Sequence, residues 1–211
     1  MTRPAAHAAA LSALSPRQSS CRASSTARWS FDAFAGRLSE LSGLGPTARL
    51  SLAMGLACEA QHAGEIAAWV TSRRGTFFPP DAARSGVDLS RLPVVFVPDA
   101  PAAARAAWRL VRSGGFGLVI LDLVGGDAAV PIPLQSRLAG AAQAHGTAVL
   151  FLTEKAADRG SLGSLVSLRC ETQRAEADGG RFLCTARALK DKRRGPGWTY
   201  TEVHRGPAGL R

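Results

Sequence analysis

The chain has 211 residues, 46% of them apolar and 20% charged, with a formal net charge of +10. That length holds one sizeable α/β domain with its own core. The charge favours acidic partners such as nucleic acid, an acidic protein face or anionic lipid, and the bland alternative is a set of Arg-rich surface helices. No stretch approaches the length of a transmembrane helix, so no membrane contact is expected. The cysteines Cys21, Cys58, Cys170 and Cys184 form no C-x-x-C pair. A metal site is therefore not expected, and a reduced, cytoplasmic compartment fits.

Residues 1–28 read as a polar, Ser/Arg-rich N-terminal arm, either flexible or helical. Its Ala-rich start, Ala5 to Leu14, is short and weakly apolar, which suits a frayed helix or docking arm better than a signal peptide. Pro16 to Ser25 reads as a linker. The main domain is expected over 29–205, followed by a tail at 206–211. Trp29, Phe31 and Phe34 suit an anchor packed against the domain edge. Arg37 to Ser42 then reads as a strand, and Thr47 to His62 as a helix with apolar Leu50, Leu52, Ala53, Leu56 and Ala57, closed by Gly64. Glu65 to Thr71 is the second strand. Pro79 to Ser85 is a short helix stopped by Gly86, and Pro93 to Val97 reads as a buried strand. A helix over Ala100 to Ser113 ends at Gly114-Gly115. Gly117 to Leu123 is a continuous apolar run ending near an acid. A further helix over Pro133 to His145 and a strand over Thr147 to Thr153 follow. The last part changes rhythm: Leu165 to Ala175, Arg181 to Leu189 and Trp198 to His204 read as strands with no helices between, and Asp178-Gly179-Gly180 as a hairpin turn. Cys170 and Cys184 are expected as small buried hydrophobes on paired strands. The fold class is α/β: a mostly parallel twisted sheet flanked by helices on both faces, with antiparallel C-terminal strands at one edge.

Chemistry concentrates where the first strand meets the first long helix. A phosphate-binding loop reads G-x-x-x-x-G-K-[ST], its backbone N–H groups and helix N-terminus cradling phosphate. Aligned on Gly43, this chain reads Gly43-Leu-Gly45-Pro-Thr47-Ala48-Arg49-Leu50. Ala48 stands where Gly is needed and puts a Cβ into a tight anion nest. Arg49 replaces Lys with a bulkier, planar cation. Leu50 replaces the magnesium-holding hydroxyl, and Pro46 removes a backbone donor. These changes argue against tight ATP–magnesium binding, and a weak anion site at the helix start stays open. Asp122 ends a strand where such folds keep an acid for magnesium, although a turn or cap is the commoner use of a lone Asp. No cofactor is expected.

These pieces, in this order, resemble RecA-type recombinases from about Trp29 onward. Gly36-Arg-Leu-Ser-Glu-Leu-Ser-Gly43 matches the first core strand and loop entry, and Ala68-Trp-Val-Thr-Ser-Arg73 the second strand. Ala83 to Leu92 matches the stretch after it. Leu110 to Asp122 matches the helix and acid-ending strand, Leu150-Phe-Leu-Thr-Glu154 the strand that ends in a nucleotide-sensing Gln, and Ala188-Leu-Lys-Asp-Lys192 a late Lys-x-Lys strand. The resemblance implies a RecA-like core. It also places Arg73 where the catalytic Glu would stand and Glu154 where the sensor Gln would, and it shortens the DNA-binding loop to Lys155 to Gly163. A short RecA-like chain with a decayed loop and a basic tail resembles the ImuA family. That resemblance implies a non-catalytic accessory of SOS translesion mutagenesis, with the RecA recombinase, ImuB and, through ImuB, an error-prone polymerase as partners. A SulA-like cell-division inhibitor and a divergent RecA-type ATPase are the alternatives.

In RecA-type filaments two late-strand lysines reach a neighbour's nucleotide, and Lys190 and Lys192 match them. The resemblance thus implies docking on a filament end with these lysines offered in trans; the bland alternative is a solvated basic turn. The run Lys190, Lys192, Arg193 and Arg194, with Trp198 and Tyr200 close by, is also the candidate for weak, non-specific, salt-sensitive DNA binding.

Overall fold

The computed structural model describes residues 29–72 and 77–205. The N-terminal arm with Cys21, Arg73 and the 206–211 tail lie outside the described residues. The domain begins with a capped turn: Ser30 Oγ accepts from Ala33 N–H at the start of α1 (Phe31–Phe34). Trp29 meets Phe34 edge-on at 5.1 Å and stacks on Tyr200 at 4.9 Å. These rings tie the start of the domain to its last strand, so they serve packing, as expected.

The elements then alternate as β1 (Leu38–Gly43), α2 (Arg49–His62), β2 (Ala67–Thr71), α3 (Pro79–Arg84), a 3-10 turn (Leu89–Arg91), β3 (Val94–Phe96), α4 (Ala100–Arg112), β4 (Leu118–Asp122), α5 (Ile132–His145) and β5 (Ala148–Glu154). Three strands without helices follow: β6 (Leu168–Ala177), β7 (Arg181–Asp191) and β8 (Thr199–Arg205). All eight strands form one sheet in the order β3-β2-β4-β5-β1-β6-β7-β8. β3 through β6 in that order pair in parallel, whereas β7 runs antiparallel to both neighbours. The hairpin at Gly179 and Gly180 has both residues at positive φ, which glycine tolerates without a Cβ clash.

Alternation across the pleat explains the continuous apolar strands. Leu118 and Ile120 of β4 join the core under α1, α2 and α3, while Val119 and Leu121 join the core under α4 and α5. Both sides of the parallel strands are therefore apolar. The strand read as buried at Pro93 to Val97 is instead the sheet edge: Val94 and Val95 are half-buried and Phe96 is 53% exposed. Cys170 and Cys184 are both buried and lie on paired strands, but their direct partners are Ala188 and Arg174. Burial pushes both thiols up and keeps them protonated.

Candidate functional site

β1 lies in the middle of the sheet, between β5 and β6, and its C-terminal residue Gly43 opens the loop into α2. Gly43 is required by close packing. A Cβ there would stand 2.7 Å from Thr47 Cγ2 and 2.9 Å from the Thr172 carbonyl. Gly45 turns the chain at φ +64°, in the left-handed region that favours glycine. Thr172 Oγ1 donates to the Ser42 carbonyl at 3.2 Å and sits 3.1 Å from Thr47 Oγ1, so Thr47 is tied to β6. Ala48 is fully buried at the helix start and supplies no side-chain cap.

Arg49 decides what this loop does. Its side chain turns inward and is 6% exposed. Nη1 donates to the carbonyls of Gly43 and Thr153, the latter at 2.9 Å, and Nη2 donates to the Gly45 carbonyl at 3.1 Å. The guanidinium fork thus joins the end of β1, the loop and the end of β5. Burial lowers its pKa, while the charges of Glu154 and Asp122 pull it back up. The cation that would face an outer phosphate in a working loop is held by main-chain oxygens here. Leu50, 41% exposed, and Leu44, 62% exposed, stand on the outside.

Of the other residues singled out around this loop, Glu154 and Asp122 end neighbouring strands beside it. Glu154 ends β5 directly opposite Gly43 in the β1–β5 register. Asp122 ends β4, one strand further, opposite Leu152. Asp122 is buried and its Oδ1 accepts from Val124 N–H at 3.2 Å, the turn-capping use of a strand-end acid. A shallow cavity of about 350 Å³ opens nearby, lined by Asp127, Lys155, Arg159 and Leu162 among others; none of residues 43–50 lines it.

Two buried charges that sequence reasoning missed hold the loop after β5. Glu40, in the middle of β1, is fully buried. Its Oε1 accepts from Thr153 Oγ1 at 2.6 Å and pairs with Lys155 Nζ at 2.6 Å; its Oε2 accepts from Leu162 N–H at 2.8 Å. Arg169 of β6 reaches the same loop from the other side, donating to Ser42 Oγ at 3.0 Å and to the carbonyls of Ala156 (2.7 Å) and Arg159. The signal was present: a carboxylate within Leu38-Ser-Glu-Leu is far too costly to bury without partners.

The basic run at the end of β7 divides. Lys190 is half-buried, with Nζ donating to Ser161 Oγ at 3.2 Å; exposed Lys192 donates to the Ser164 carbonyl at 2.8 Å. Burial and Lys192 lower the Lys190 pKa, and Glu40 opposes them. Arg193 turns away to the Ala35 carbonyl at 3.0 Å, and Arg194 is exposed. Trp198, expected beside them as a stacking ring, is 7% exposed, with its indole N–H donated to Asp191 Oδ2 at 3.2 Å. Asp191 Oδ1 in turn pairs with Arg37 Nη2 at 2.8 Å, both side chains almost fully buried. Trp198 therefore belongs to the core: a buried indole needs a partner for its N–H, and Asp191 provides it.

No protein-family model matches the chain, and no curated protein matches it.

Proposed function

We propose that this chain is an ImuA-like accessory protein of DNA-damage-induced translesion mutagenesis, built on a RecA-like core. It acts by binding a recombinase and an ImuB-type polymerase partner, without turning over nucleotide itself. The observation that carries the reading is the inward Arg49. A phosphate-binding loop needs its cation and its amides aimed at the ligand. Here the cation binds the loop's own carbonyls. The parallel sheet with antiparallel last strands, and the meeting of Gly43, Asp122 and Glu154 at neighbouring strand ends, support the RecA-like reading. Lys190 and Lys192 both lean on the loop after β5, where a neighbour's anionic group could meet them.

Two measurements test this. ATP–magnesium titration should give no binding in the micromolar range and no hydrolysis; turnover would refute the accessory reading. Pull-down with recombinase and the polymerase-like partner should recover the chain. The Lys190→Ala/Lys192→Ala variant should lose recombinase while keeping the other partner. Equal recombinase recovery by the variant would rule out the trans role of these lysines.

A further inference from the structure

We propose that the outer face of α4 and α5 binds single-stranded DNA through its phosphate backbone. α4 carries Arg105, Arg109 and Arg112, and α5 carries Arg137; neither helix contains an Asp or Glu. All four arginines are exposed. Among the described residues none of them makes an ion pair. Trp108, half-buried, sits inside the cluster: the guanidinium carbons of Arg112 and Arg137 lie 5.2 and 5.9 Å from its ring centroid.

Helix stability accounts for only part of this cluster. Arg109 and Arg112 stand in the last turn of α4, where a cation suits the helix dipole. Arg105 is mid-helix and four residues from Arg109, a like-charge spacing that weakens a helix. Arg137 lies in the first half of α5, away from the end that favours a cation. Arg105 thus stands where the fold gains nothing from its charge, Arg137 gains only its place over the Trp108 ring, and among the described residues no carboxylate pairs with either. An anionic partner would.

The shape of the cluster favours a nucleic acid over an acidic protein. Arg105 to Arg112 runs along about 10 Å of one helix, with Trp108 between them and Arg137 alongside. A flexible strand can follow these two helices, set successive phosphates on the guanidinium groups and lay a base against the half-buried ring and the arginines beside it. A duplex keeps its base faces stacked and offers none to the ring. The cluster is carried by α4 and α5, whereas Lys190 and Lys192 lie at and just after the end of β7; the inference holds whether or not the loop at Gly43 binds nucleotide.

The test is anisotropy with a labelled 20-nucleotide oligothymidylate and the full chain. Binding should appear at low salt, with a log–log salt slope of about −3 for four phosphate contacts. The Arg105→Gln/Arg137→Gln variant should lose about tenfold in affinity and roughly half of that slope. Arg181→Gln/Arg205→Gln, which removes the same charge from the opposite end of the sheet, should stay within about threefold of the parent. Trp29, Trp69 and Trp198 are buried, so bound oligonucleotide should protect Trp108 fluorescence from acrylamide in the unmodified chain. Absence of binding at low salt, equal losses in the two variants, no protection of Trp108, binding to duplex as tight as to single strand, or displacement by polyglutamate as readily as by oligonucleotide would each overturn the proposal.

Discussion

Arg49 shows how one side chain can fix a loop. Three carbonyls, from two strand ends and the loop that leads into α2, take three hydrogen bonds from its two terminal nitrogens. Lys could satisfy only part of that set, because its single ammonium lacks the planar fork. Arg49→Met, similar in length but without donors, should lower stability by about 3 kcal/mol, the scale expected when buried acceptors lose a charged partner. Arg49→Lys should fall between the two. Urea unfolding measures both, and an Arg49→Met midpoint equal to the parent's would show that the carbonyls are satisfied without the fork.

At the scale of elements, the loop after β5 is shaped by charges on neighbouring strands. Glu40 holds it through Lys155 and the Leu162 amide, and Arg169 through the carbonyls of Ala156 and Arg159. Glu40→Gln leaves Lys155, which is mostly buried, without its counter-charge. Breaking such a pair typically costs about 3–5 kcal/mol. The loop should open first, so tryptic cleavage at Lys155 and Arg159 should accelerate about tenfold under native conditions, and an unchanged digestion rate would assign the strap to Arg169 alone. Element types were legible because long apolar periodicities and glycine stops are local signals. Gly64 and Gly86 do end their helices at positive φ. Sheet order is not local. Val94-Val-Phe96 is as apolar as a central strand, and only the observed order makes it an edge. The loop, Asp122 and Glu154 could be nominated one by one from the sequence. The direction of the Arg49 side chain, the burial of Trp198 and the Glu40 strap depend on contacts more than a hundred residues apart or on rotamers, which a linear reading does not contain.

Across the whole molecule, two titrating groups bound the pH range of stability from opposite sides. Burial raises the Asp191 pKa, but hydrogen bonds from Arg37, the Arg193 amide and Trp198 outweigh it and leave it below its ordinary 3.8. Its folded value is depressed, so its contribution is present above about pH 3.8 and is lost as pH falls through the folded value. His204 lies 2.6 Å from Glu202 on β8. That hydrogen bond raises its pKa above 6.5 against the opposing effect of burial. Its folded value is raised, so its contribution is complete below pH 6.5 and fades as pH rises through the folded value. Urea midpoints should therefore peak between about pH 4 and 6.5 and decline on both sides. His204→Gln should flatten the decline above pH 6.5 and leave the acid side alone; a decline that persists unchanged would place its cause elsewhere.

The inward fork of Arg49 also sets an evolutionary constraint. One side chain determines both the shape of the loop and the direction its charge faces, so these properties cannot be altered separately. A first step toward a phosphate-facing lysine would strip partners from the end of β1 before any ligand could compensate. Such an intermediate is less stable and no better at binding, and selection would remove it. On the proposed reading the arrangement acts as a ratchet: a lineage that adopts it keeps both the scaffold and the inward-facing charge.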